Sequence, residues 1–548
     1  MLPFDEEEVL NMLAKPVAEA FKERFKHLTT PQLYAIPRII EGKNILLMAP
    51  TGSGKCVSGD TLVLTEDGLV EVSKLYGRLV RVNSLDDKLK ISQKIGAVIR
   101  KRKSKLYLVL TRTGRYIKVT DDHRFLTIKN GSLEWVKLSE LRIGDYIAVA
   151  RRLEITDQEN IRITLKDIEN VLDRVTIRVE PSLKEVLNLI ENEKSIKVNE
   201  LAGKLGISKD SIRRALKGFR VKGSTVKKIL EFVGVPTDQV KVVEIGTISG
   251  RGIKIPEIDE AFAYFIGLLL SDGNISKARV IRFSNSQPQL INFIKSYVEN
   301  LNLSFKRDKS RKYDYYFCSR PLVLLLQSLG FPLENKSTEA RIPKIFFRNK
   351  SLLCGVLKGL FDTDGSISRY EIELTTKSRN LAIDILHALL CLDIFGSLRE
   401  EKIGNRTYYR IVIDDEDNRE RFLKKICFTD SDKKKRLYES LKVNSNPNLD
   451  IVPNINLSSK KWKESISKEK CLESIYVLHR SYIYKPYRNP TWKGLSKIID
   501  HLRNSASSTM LSVEFVNLEK LCESDIFWDT IEEIREAGED YVYDITVP

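Results

Sequence analysis

Two short segments of similar sequence constrain the fold more than any other feature of this chain. Residues 267–276 and 359–368 agree at six of ten positions and begin 359 − 267 = 92 residues apart. Each segment starts near the end of an apolar stretch whose near-continuous hydrophobicity predicts a buried helix. Each also contains an aspartate, Asp272 or Asp364, that is preceded at five residues by a glycine and followed directly by a glycine able to cap the helix. The repeat predicts two copies of one unit whose helices pack closely side by side.

These paired motifs resemble the LAGLIDADG signature of two-repeat homing endonucleases, of the DOD type that is nested in inteins. The resemblance implies that Asp272 and Asp364 hold Mg²⁺ ions that support cleavage of double-stranded DNA. A carboxylate at a helix C-terminus is electrostatically unfavourable unless a cation accompanies it, which fits this interpretation. Asp362 is expected to cap or pack rather than to bind metal. Because Arg341 stands where the family usually has Lys, we prefer Lys377 as the catalytic basic residue.

A second motif begins at Cys56, where the sequence reads CVSGDTLVLTEDGLVEVSKL. A strand-like alternation then precedes the pair Thr120 and His123. These features, together with Asp544, resemble the conserved blocks of an intein. The resemblance implies that the thiol of Cys56 attacks the carbonyl of Lys55 in an N-to-S acyl shift. It further implies that Thr120 holds the amide, that His123 protonates its nitrogen and that Asp544 orients the cysteine.

The far end of the chain departs from the intein pattern. Segments 524–529 and 541–547 resemble the penultimate strand block of inteins, but the His-Asn pair that ends an intein is not found before Pro548. We therefore expect the C-terminal splice junction to be missing and complete cis splicing not to occur. A separate C-terminal intein piece is then a candidate partner.

The segment before Cys56 carries a different motif. Gly52, Gly54 and Lys55 form a glycine-rich turn after an apolar strand, as in a phosphate loop. With Gln32 in a Q-motif-like segment, they resemble the DEAD/DEAH helicases, most closely the large helicase-related proteins of archaea and bacteria. The next residue is a cysteine, which binds Mg²⁺ poorly in comparison with Thr or Ser. We interpret residues 1–55 as a helicase fragment, with ATP a cofactor of the intact helicase only.

The charge of the chain favours nucleic acid as a partner. Lys and Arg exceed Asp and Glu by 91 − 74 = 17 residues. Residues 198–217 have helix–turn–helix phasing, in which Gly206 makes the turn and Ser208 caps the second helix. The alternative is a helical spacer with solvated charges. The candidate DNA-contacting residues on the second helix are Lys209, Arg213, Arg214 and Lys217.

The cysteine pattern and the hydropathy exclude several other classes of protein. The seven cysteines show no CxxC spacing, so neither a disulfide framework nor a zinc site is indicated. No apolar run approaches the ~20 residues that a membrane-spanning helix needs, and the acidic start is not a signal peptide. We expect a cytoplasmic protein without a membrane partner.

Together these motifs predict a multidomain α+β chain. Its mostly-β, Hint-type splicing domain is interrupted by a helix–turn–helix insert and an α/β LAGLIDADG endonuclease, and a helicase fragment precedes it. The predicted boundaries are 1–55 for the helicase fragment, 56–155 and 523–548 for the splicing domain, 156–250 for the insert, 251–430 for the nuclease and 431–522 for a basic, aromatic region that could contact DNA.

Two other functions compete with this interpretation. An active ATP-dependent DNA helicase would need Thr in place of Cys56 and a DEAD/DEAH box downstream, and neither is present. A non-catalytic DNA-binding protein would account for the positive charge, but it leaves the paired aspartate motifs unexplained.

Overall fold

The computed structural model describes the chain with gaps. The described residues are 6–14, 18–19, 36–37, 40, 56–129, 132–194, 198–248, 250–276, 279–368, 370–442, 450–455, 489–504 and 513–547. Of the predicted helicase fragment, the described part includes helix α1 (Glu6–Asn11). Gln32, Gly52, Gly54 and Lys55 lie outside the described residues. None of the helices in the described ranges has the length and apolar character that crossing a membrane requires.

Two distant parts of the chain form one mostly β domain, which we call the split β domain. Its second part is a single strand of 21 residues, the C-terminal strand (Ile526–Thr546). The first part supplies β1 (Val57–Ser58), β2 (Leu62–Thr65), β3 (Gly68–Glu71), β4 (Leu79–Leu85), β5 (Ile91–Thr111), β6 (Tyr116–Val119), β7 (Arg124–Lys129), β8 (Ser132–Lys137) and β9 (Tyr146–Ala150).

The C-terminal strand organises the main sheet of this domain. It includes most of segments 524–529 and 541–547, which the sequence suggested separately. It pairs antiparallel with β1, β5 and β9. Its pairing with β5 shifts register at three places, and the last of these is a β-bulge. Tyr541 faces Lys103 and Tyr543 faces Arg100, so that two residues of β5 lie opposite one residue of the C-terminal strand. The bulge becomes important at the cysteine site described below.

A small α/β unit is inserted between the two parts of the split β domain. It contains β10 (Thr176–Glu180), α2 (Leu183–Lys194), α3 (Val198–Leu205), α4 (Lys209–Leu216), β11 (Val221–Lys222), α5 (Gly223–Val233), β12 (Lys241–Gly246) and β13 (Gly252–Lys254). Gly206, at φ +59°, makes the turn between α3 and α4, and the Ser208 side chain accepts a hydrogen bond from the Ser211 N–H at 3.2 Å. The sheet, in the order β11-β10-β12-β13, was not predicted, because strands of two to six residues carry little alternation.

Two units of matching topology follow the insert. The first contains α6 (Glu260–Asp272), β14 (Gly273–Ser276), β15 (Val280–Ser284), α7 (Pro288–Asn300), β16 (Lys306–Arg307), β17 (Asp314–Cys318) and α8 (Arg320–Ser328). After α9 (Lys336–Glu339), the second contains α10 (Lys350–Asp364), β18 (Gly365–Ile367), β19 (Ile372–Thr376), α11 (Arg379–Cys391), β20 (Ser397–Ile403), β21 (Arg406–Ile413) and α12 (Glu416–Lys425). The sheet orders β14-β15-β17-β16 and β18-β19-β21-β20 correspond strand by strand, which confirms the predicted internal repeat.

Helices α6 and α10 are in close contact through their glycines, as the sequence predicted. A Cβ atom added to Gly359 would lie 2.6 Å from the carbonyl oxygen of Tyr264 and 2.8 Å from the Cα of Gly267. Atoms this close belong to backbone, which cannot move aside as a side chain can. The two helices can therefore approach this closely only with glycine at the crossing point.

The glycines that follow the two aspartates cap their helices, as the sequence predicted, since the N–H of Gly273 donates to the carbonyl oxygen of Leu269 and that of Gly365 donates to the carbonyl oxygen of Phe361. Gly273 and Gly365 have φ of −81° and −77°, an extended conformation, and each begins a strand directly. Glycine is still required at both positions, because an added Cβ would lie 2.4 Å from the carbonyl oxygen of Leu269 or 2.3 Å from that of Phe361.

The helix crossing leads to a prediction about stability. Gly359→Ala should lower the free energy of unfolding by about 1–3 kcal/mol, because the new methyl group collides with backbone of α6. Gly203→Ala is the matched control within helix α3, where an added Cβ meets nothing within 4 Å. That change should stabilise the protein by roughly 0.5–1 kcal/mol. Urea unfolding followed by circular dichroism measures both, and equal effects of the two changes would contradict the close approach.

The described part of the predicted 431–522 region is divided between the motif units, where its first helix packs, and the split β domain. Its helices are α13 (Ser431–Ser440), α14 (Trp492–Asn504) and α15 (Val513–Glu523). Leu495 and Leu518 share a buried apolar cluster with Ile128 and Trp528. The basic, aromatic run at 460–470 lies outside the described residues. A role of this region in contacting DNA stays a prediction.

Candidate functional site

The first candidate site, the cysteine site, consists of Cys56, Lys101, Thr120, His123 and Asp544. Cys56 directly precedes β1, whose residue Val57 faces Tyr543 of the C-terminal strand. In an antiparallel pair the residue before Val57 lies beside the residue after Tyr543, so Cys56 is placed next to Asp544. Both are buried, with 6% and 2% of their surface exposed.

The turn after β6 brings Thr120 and His123 to the same site. The backbone N–H of Thr120 donates to the carbonyl oxygen of Cys56 at 3.3 Å, and the backbone N–H of His123 donates to the carbonyl oxygen of Thr120 at 3.1 Å. The hydroxyl of Thr120 donates to Asp122 at 2.5 Å. The His123 ring packs edge-on against Phe125, with the ring centroids 5.0 Å apart. Thr120 and Asp544, predicted from distant parts of the sequence, therefore lie beside Cys56, and His123 belongs to the same turn as Thr120.

Lys101 is a member of the cysteine site that the sequence did not reveal. Its Nζ lies 3.3 Å from the Oδ2 of Asp544, and its side chain also forms a hydrogen bond with the thiol of Cys56. Burial raises the pKa of Cys56, while the charge of Lys101 opposes that rise. Burial alone would lower the pKa of Lys101, but the negative charges of Cys56 and Asp544 outweigh it and raise the pKa. Lys101 thus provides a positive charge at the thiol.

The second candidate site is the carboxylate pair, Asp272 and Asp364, at the C-terminal ends of α6 and α10. Asp272 is half-buried and Asp364 faces solvent. The amide of Asn285 donates to Asp272 at 2.6 Å. Loss of hydration beside the packed helix ends raises the pKa of both carboxyl groups, and the charge of Asp364 further raises that of Asp272. Two carboxylates that repel one another at the ends of two helix dipoles are suited to holding a cation.

A lysine lies at the end of each motif helix. The Nζ of Lys336 donates to the carbonyl oxygens of residues 269–271 at the end of α6, at 2.5–3.3 Å. The Nζ of Lys433 donates to the carbonyl oxygen of Asp362 near the end of α10, at 2.9 Å. Burial lowers the pKa of Lys336 to about 8 and also lowers that of Lys433. These lysines follow their motif aspartates by 336 − 272 = 64 and 433 − 364 = 69 residues. This similar spacing is the signal that could have revealed them.

The structure places the basic residues considered from the sequence elsewhere. Arg341 forms two hydrogen bonds, of 2.8 and 3.1 Å, with the buried carboxylate of Asp384. The Nζ of Lys377 lies 5.6 Å from the ring centroid of Tyr408. Among the described residues, Lys336 and Lys433 are cations whose charges act on the carboxylate pair.

Asp362 packs, as the sequence predicted, rather than facing the carboxylate pair. It is buried and accepts hydrogen bonds from the hydroxyl of Tyr264 at 2.7 Å and from the N–H and hydroxyl of Thr429 at 2.7 and 2.6 Å. These bonds tie α10 to α6 and to the segment that leads to Lys433.

The carboxylate pair fits a Mg²⁺ site that substrate completes. Over the ranges that the structure describes, no group of three or more His, Cys, Asp or Glu side chains is arranged to hold a metal. Mg²⁺ is commonly bound by one or two carboxylates, with water and phosphate oxygens as the remaining ligands. Asp272 and Asp364 match that arrangement in number and in chemistry.

The predicted DNA-contacting residues of the insert lie on α4 or, for Lys217, directly after it. Ile212 and Ala215 bury one side of α4 against the insert. The basic residues predicted to contact DNA are all exposed: Lys209, Arg213, Arg214 and Lys217. Helix α4 therefore presents a basic, solvent-facing side.

Comparison with known proteins adds relatives of two kinds. Curated relatives include the replication factor C small subunits of Methanocaldococcus jannaschii and Thermococcus kodakarensis. The first is 24% identical over 515 residues, which cover 90% of this chain and 22% of that protein. The second is 25% identical over 498 residues, which cover 85% of this chain and 44% of that protein. The chain thus spans less than half the length of each.

Similar solved structures cover smaller parts of the chain. A DnaB intein from Synechocystis sp. PCC 6803 is 30% identical over 18% of this chain and 69% of that chain, with a TM-score of 0.16. A variant of the homing endonuclease I-DmoI is 16% identical over 31% of this chain and 90% of that chain, with a TM-score of 0.25. A family model described as the intein splicing domain matches residues 63–548. Because that match includes most of the sequence, the chain belongs to the intein splicing domain family.

Proposed function

We propose that this intein carries a site-specific endonuclease that cuts both strands of DNA at the carboxylate pair. One observation carries the proposal. Asp272 and Asp364 come from two units of matching topology and meet where α6 and α10 end together. A duplex has two antiparallel strands related by an approximate twofold axis. A site that supplies one carboxylate from each of two related units can therefore serve one scissile phosphate on each strand.

The residues around the pair have separate roles in this reaction. Asp272 and Asp364 would hold Mg²⁺, and Asn285 fixes the orientation of Asp272 through its 2.6 Å hydrogen bond. When bound, the metal ion supplies an activated water and stabilises the leaving oxygen. Lys336, with a pKa of about 8, can exchange a proton close to neutral pH and places positive charge near the phosphate.

We propose the first acyl shift of protein splicing as a second activity, at the cysteine site. The sulfur of Cys56 attacks the preceding carbonyl carbon, and the amide nitrogen of Cys56 leaves as an amine. The hydrogen bond from Thr120 N–H to the Cys56 carbonyl oxygen holds the backbone next to the scissile bond. His123 would protonate the leaving nitrogen. The proposal covers this first step of splicing alone.

The DNA target and the host are also part of the proposal. We propose that the host is a DEAD/DEAH-type helicase of the cytoplasm, and that the target is its uninterrupted gene around the codons for Gly54, Lys55 and the expected Thr. Incubating the chain with a duplex of that junction, in Mg²⁺ or in EDTA, tests this. We expect a double-strand break in Mg²⁺ alone and no break in the same duplex with the intein-coding sequence inserted. Cleavage of unrelated DNA at the same rate would contradict a site-specific nuclease.

The choice between two lysines leads to a prediction in the same assay. Lys336→Met should lower the cleavage rate by about 10²-fold or more, the effect typical of losing a proton-transfer group. Lys377→Met should have a much smaller effect, because that side chain lies against Tyr408. Rates are measured under single-turnover conditions with saturating Mg²⁺. The reverse order of effects would restore Lys377 as the catalytic lysine.

The exposed side of α4 leads to a prediction about salt dependence. If Arg213 and Arg214 contact phosphates, changing both to Ala should make the DNA association constant less dependent on salt. The slope of its logarithm against the logarithm of the salt concentration should fall in magnitude by about 2, because each phosphate contact contributes about 0.9. Lys204→Ala is the matched control, because Lys204 is exposed on the neighbouring α3 and pairs with Glu200 at 2.8 Å. Fluorescence anisotropy with a labelled duplex measures the slopes. An unchanged slope in the double variant would leave the insert as a spacer.

A further inference from the structure

The β-bulge in the main sheet lies beside Cys56. Asp544 faces Ile99 across the strand pair, so the two side chains lie on the same side of the sheet. Lys101 follows Ile99 by two residues and therefore points to that side as well. Lys101 and Arg102 together oppose one residue, Val542, which forms the bulge. Bulges redirect side chains and are frequent next to active sites.

The side chain of Lys101 connects Asp544 with Cys56. Lys101 has 21% of its side chain exposed, whereas Asp544 is almost completely buried. The ion pair of 3.3 Å between them anchors the lysine at one end, and the same Nζ forms a hydrogen bond with the thiol of Cys56. A carboxylate buried to this extent needs a partner charge, and Lys101 supplies it.

We infer that Lys101 is a further catalytic residue of the first acyl shift, and that it stabilises the thiolate of Cys56 while Asp544 holds it in place. The inference rests on the acyl shift proposed above. In that step a bond forms between the sulfur of Cys56 and the carbonyl carbon of Lys55, and the bond from that carbon to the Cys56 nitrogen breaks. The thiol gives up one proton and the leaving nitrogen gains one, so the step is an isomerisation that needs no oxidant or reductant.

Electrostatics supports the role of Lys101. Among the described residues, the charged groups that act on Cys56 include Lys101 from β5, Asp544 from the C-terminal strand and Asp122 from the turn after β6. The two carboxylates and burial raise the pKa of the thiol, and Lys101 lowers it. The thiolate is the nucleophilic form of cysteine. The reaction therefore depends on the group that opposes the rise in pKa caused by burial. An opposite charge within ~4–6 Å commonly lowers a pKa by about 1–3 units.

Alkylation of Cys56 tests the inference without requiring cleavage. The full chain is treated with iodoacetamide at a series of pH values around the usual thiol pKa of ~8.5, and mass spectrometry of the Cys56 peptide gives the rate. In Lys101→Met, the pH at which alkylation of Cys56 reaches half its maximal rate (the pH midpoint) should rise by about one unit or more. Lys101→Arg keeps the positive charge and should bring the midpoint most of the way back to that of the natural chain. Lys103→Met, an exposed change two residues along the same strand, should leave the midpoint where it is in the natural chain.

Removing Lys101 alone leaves Asp544 buried without its ion pair, so the double variant Lys101→Met with Asp544→Asn is included. Its midpoint should still rise, because Lys101 acts on Cys56 more strongly than Asp544 does. Circular dichroism confirms that each variant is folded. An unchanged midpoint in a folded variant that lacks Lys101 would overturn the inference.

A second measurement separates this inference from the proposed reaction. Cleavage after Lys55 in dithiothreitol is followed against pH for the natural chain and for Lys101→Met. If the natural chain does not cleave, the proposed acyl shift fails, while the alkylation midpoints still decide the role of Lys101. If the natural chain cleaves and the Lys101→Met profile coincides with it, the inference fails and the acyl shift stands. We expect the Lys101→Met profile to shift to higher pH.

Discussion

Asn in place of either Asp272 or Asp364 should lower the rate of DNA cleavage by more than about 100-fold. Loss of a group that only orients a metal ligand already costs about 10–100-fold, and each of these carboxylates would be a ligand itself. The double change should cost little more than a single change, because the two groups act as a unit. Single-turnover cleavage of the junction duplex, with the two strands resolved on a denaturing gel, measures the effect on each strand.

Asp393→Asn is a suitable control for these changes. Asp393 has φ +57°, a left-handed conformation that Asn tolerates well, and it pairs with Lys425 at the surface. The control removes one carboxylate from the same unit as Asp364 without touching the pair, so its cleavage rate should stay close to that of the natural chain. Cleavage by the Asp272→Asn, Asp364→Asn double variant at the natural rate would exclude the carboxylate pair as the active site.

Cys56→Ala should abolish cleavage of the chain after Lys55 in dithiothreitol. In the natural chain, added thiol would capture the thioester and release residues 1–55 together with a protein that begins at Cys56. No thioester can form without the sulfur. His123→Ala should slow release by about 10²–10⁴-fold, the usual effect of losing general acid catalysis. Mass spectrometry of the two fragments over time measures both effects.

Cys318→Ala is the matched control for the thiol. Cys318 is an exposed cysteine on β17, so the change removes a sulfur at a distance from the cysteine site. Release should continue at the natural rate in this variant. Release that persists in Cys56→Ala, or that starts at another peptide bond, would contradict the assignment of Cys56 as the nucleophile.

The parts of the fold that could be predicted from sequence are those encoded in local patterns. Helices α6 and α10 have continuous apolar sequences, and Gly267 and Gly359 report the contact between them. The alternation in 116–119 identifies β6, and the turn that follows carries His123. Each of these features depends on residues that are close in sequence. A local pattern of apolar residues or of glycine can therefore predict it.

Long-range features were not predictable in the same way. Lys101 reaches the cysteine site because β5 pairs with a strand more than 400 residues later, and register between distant strands leaves no local signal. Lys336 and Lys433 come from segments outside the motifs and act through backbone carbonyls, which any sequence provides. Lys377 was preferred because it lies in a recognisable segment, although the fold directs it to Tyr408.

The order in which the strands are synthesised controls when the cysteine site can exist. Strands β1 to β9 are complete by residue 150, but their central partner starts at residue 526, after 526 − 150 = 376 further residues. At the usual ~5–20 residues per second of translation, this is a delay of about 20–75 s. The ion pair between Lys101 and Asp544 forms only when the C-terminal strand pairs with β5. Until then Asp544 is absent from the site and Lys101 lacks the ion pair that holds it there, so we expect the Lys55–Cys56 bond to stay unreactive on the ribosome while the two motif units fold.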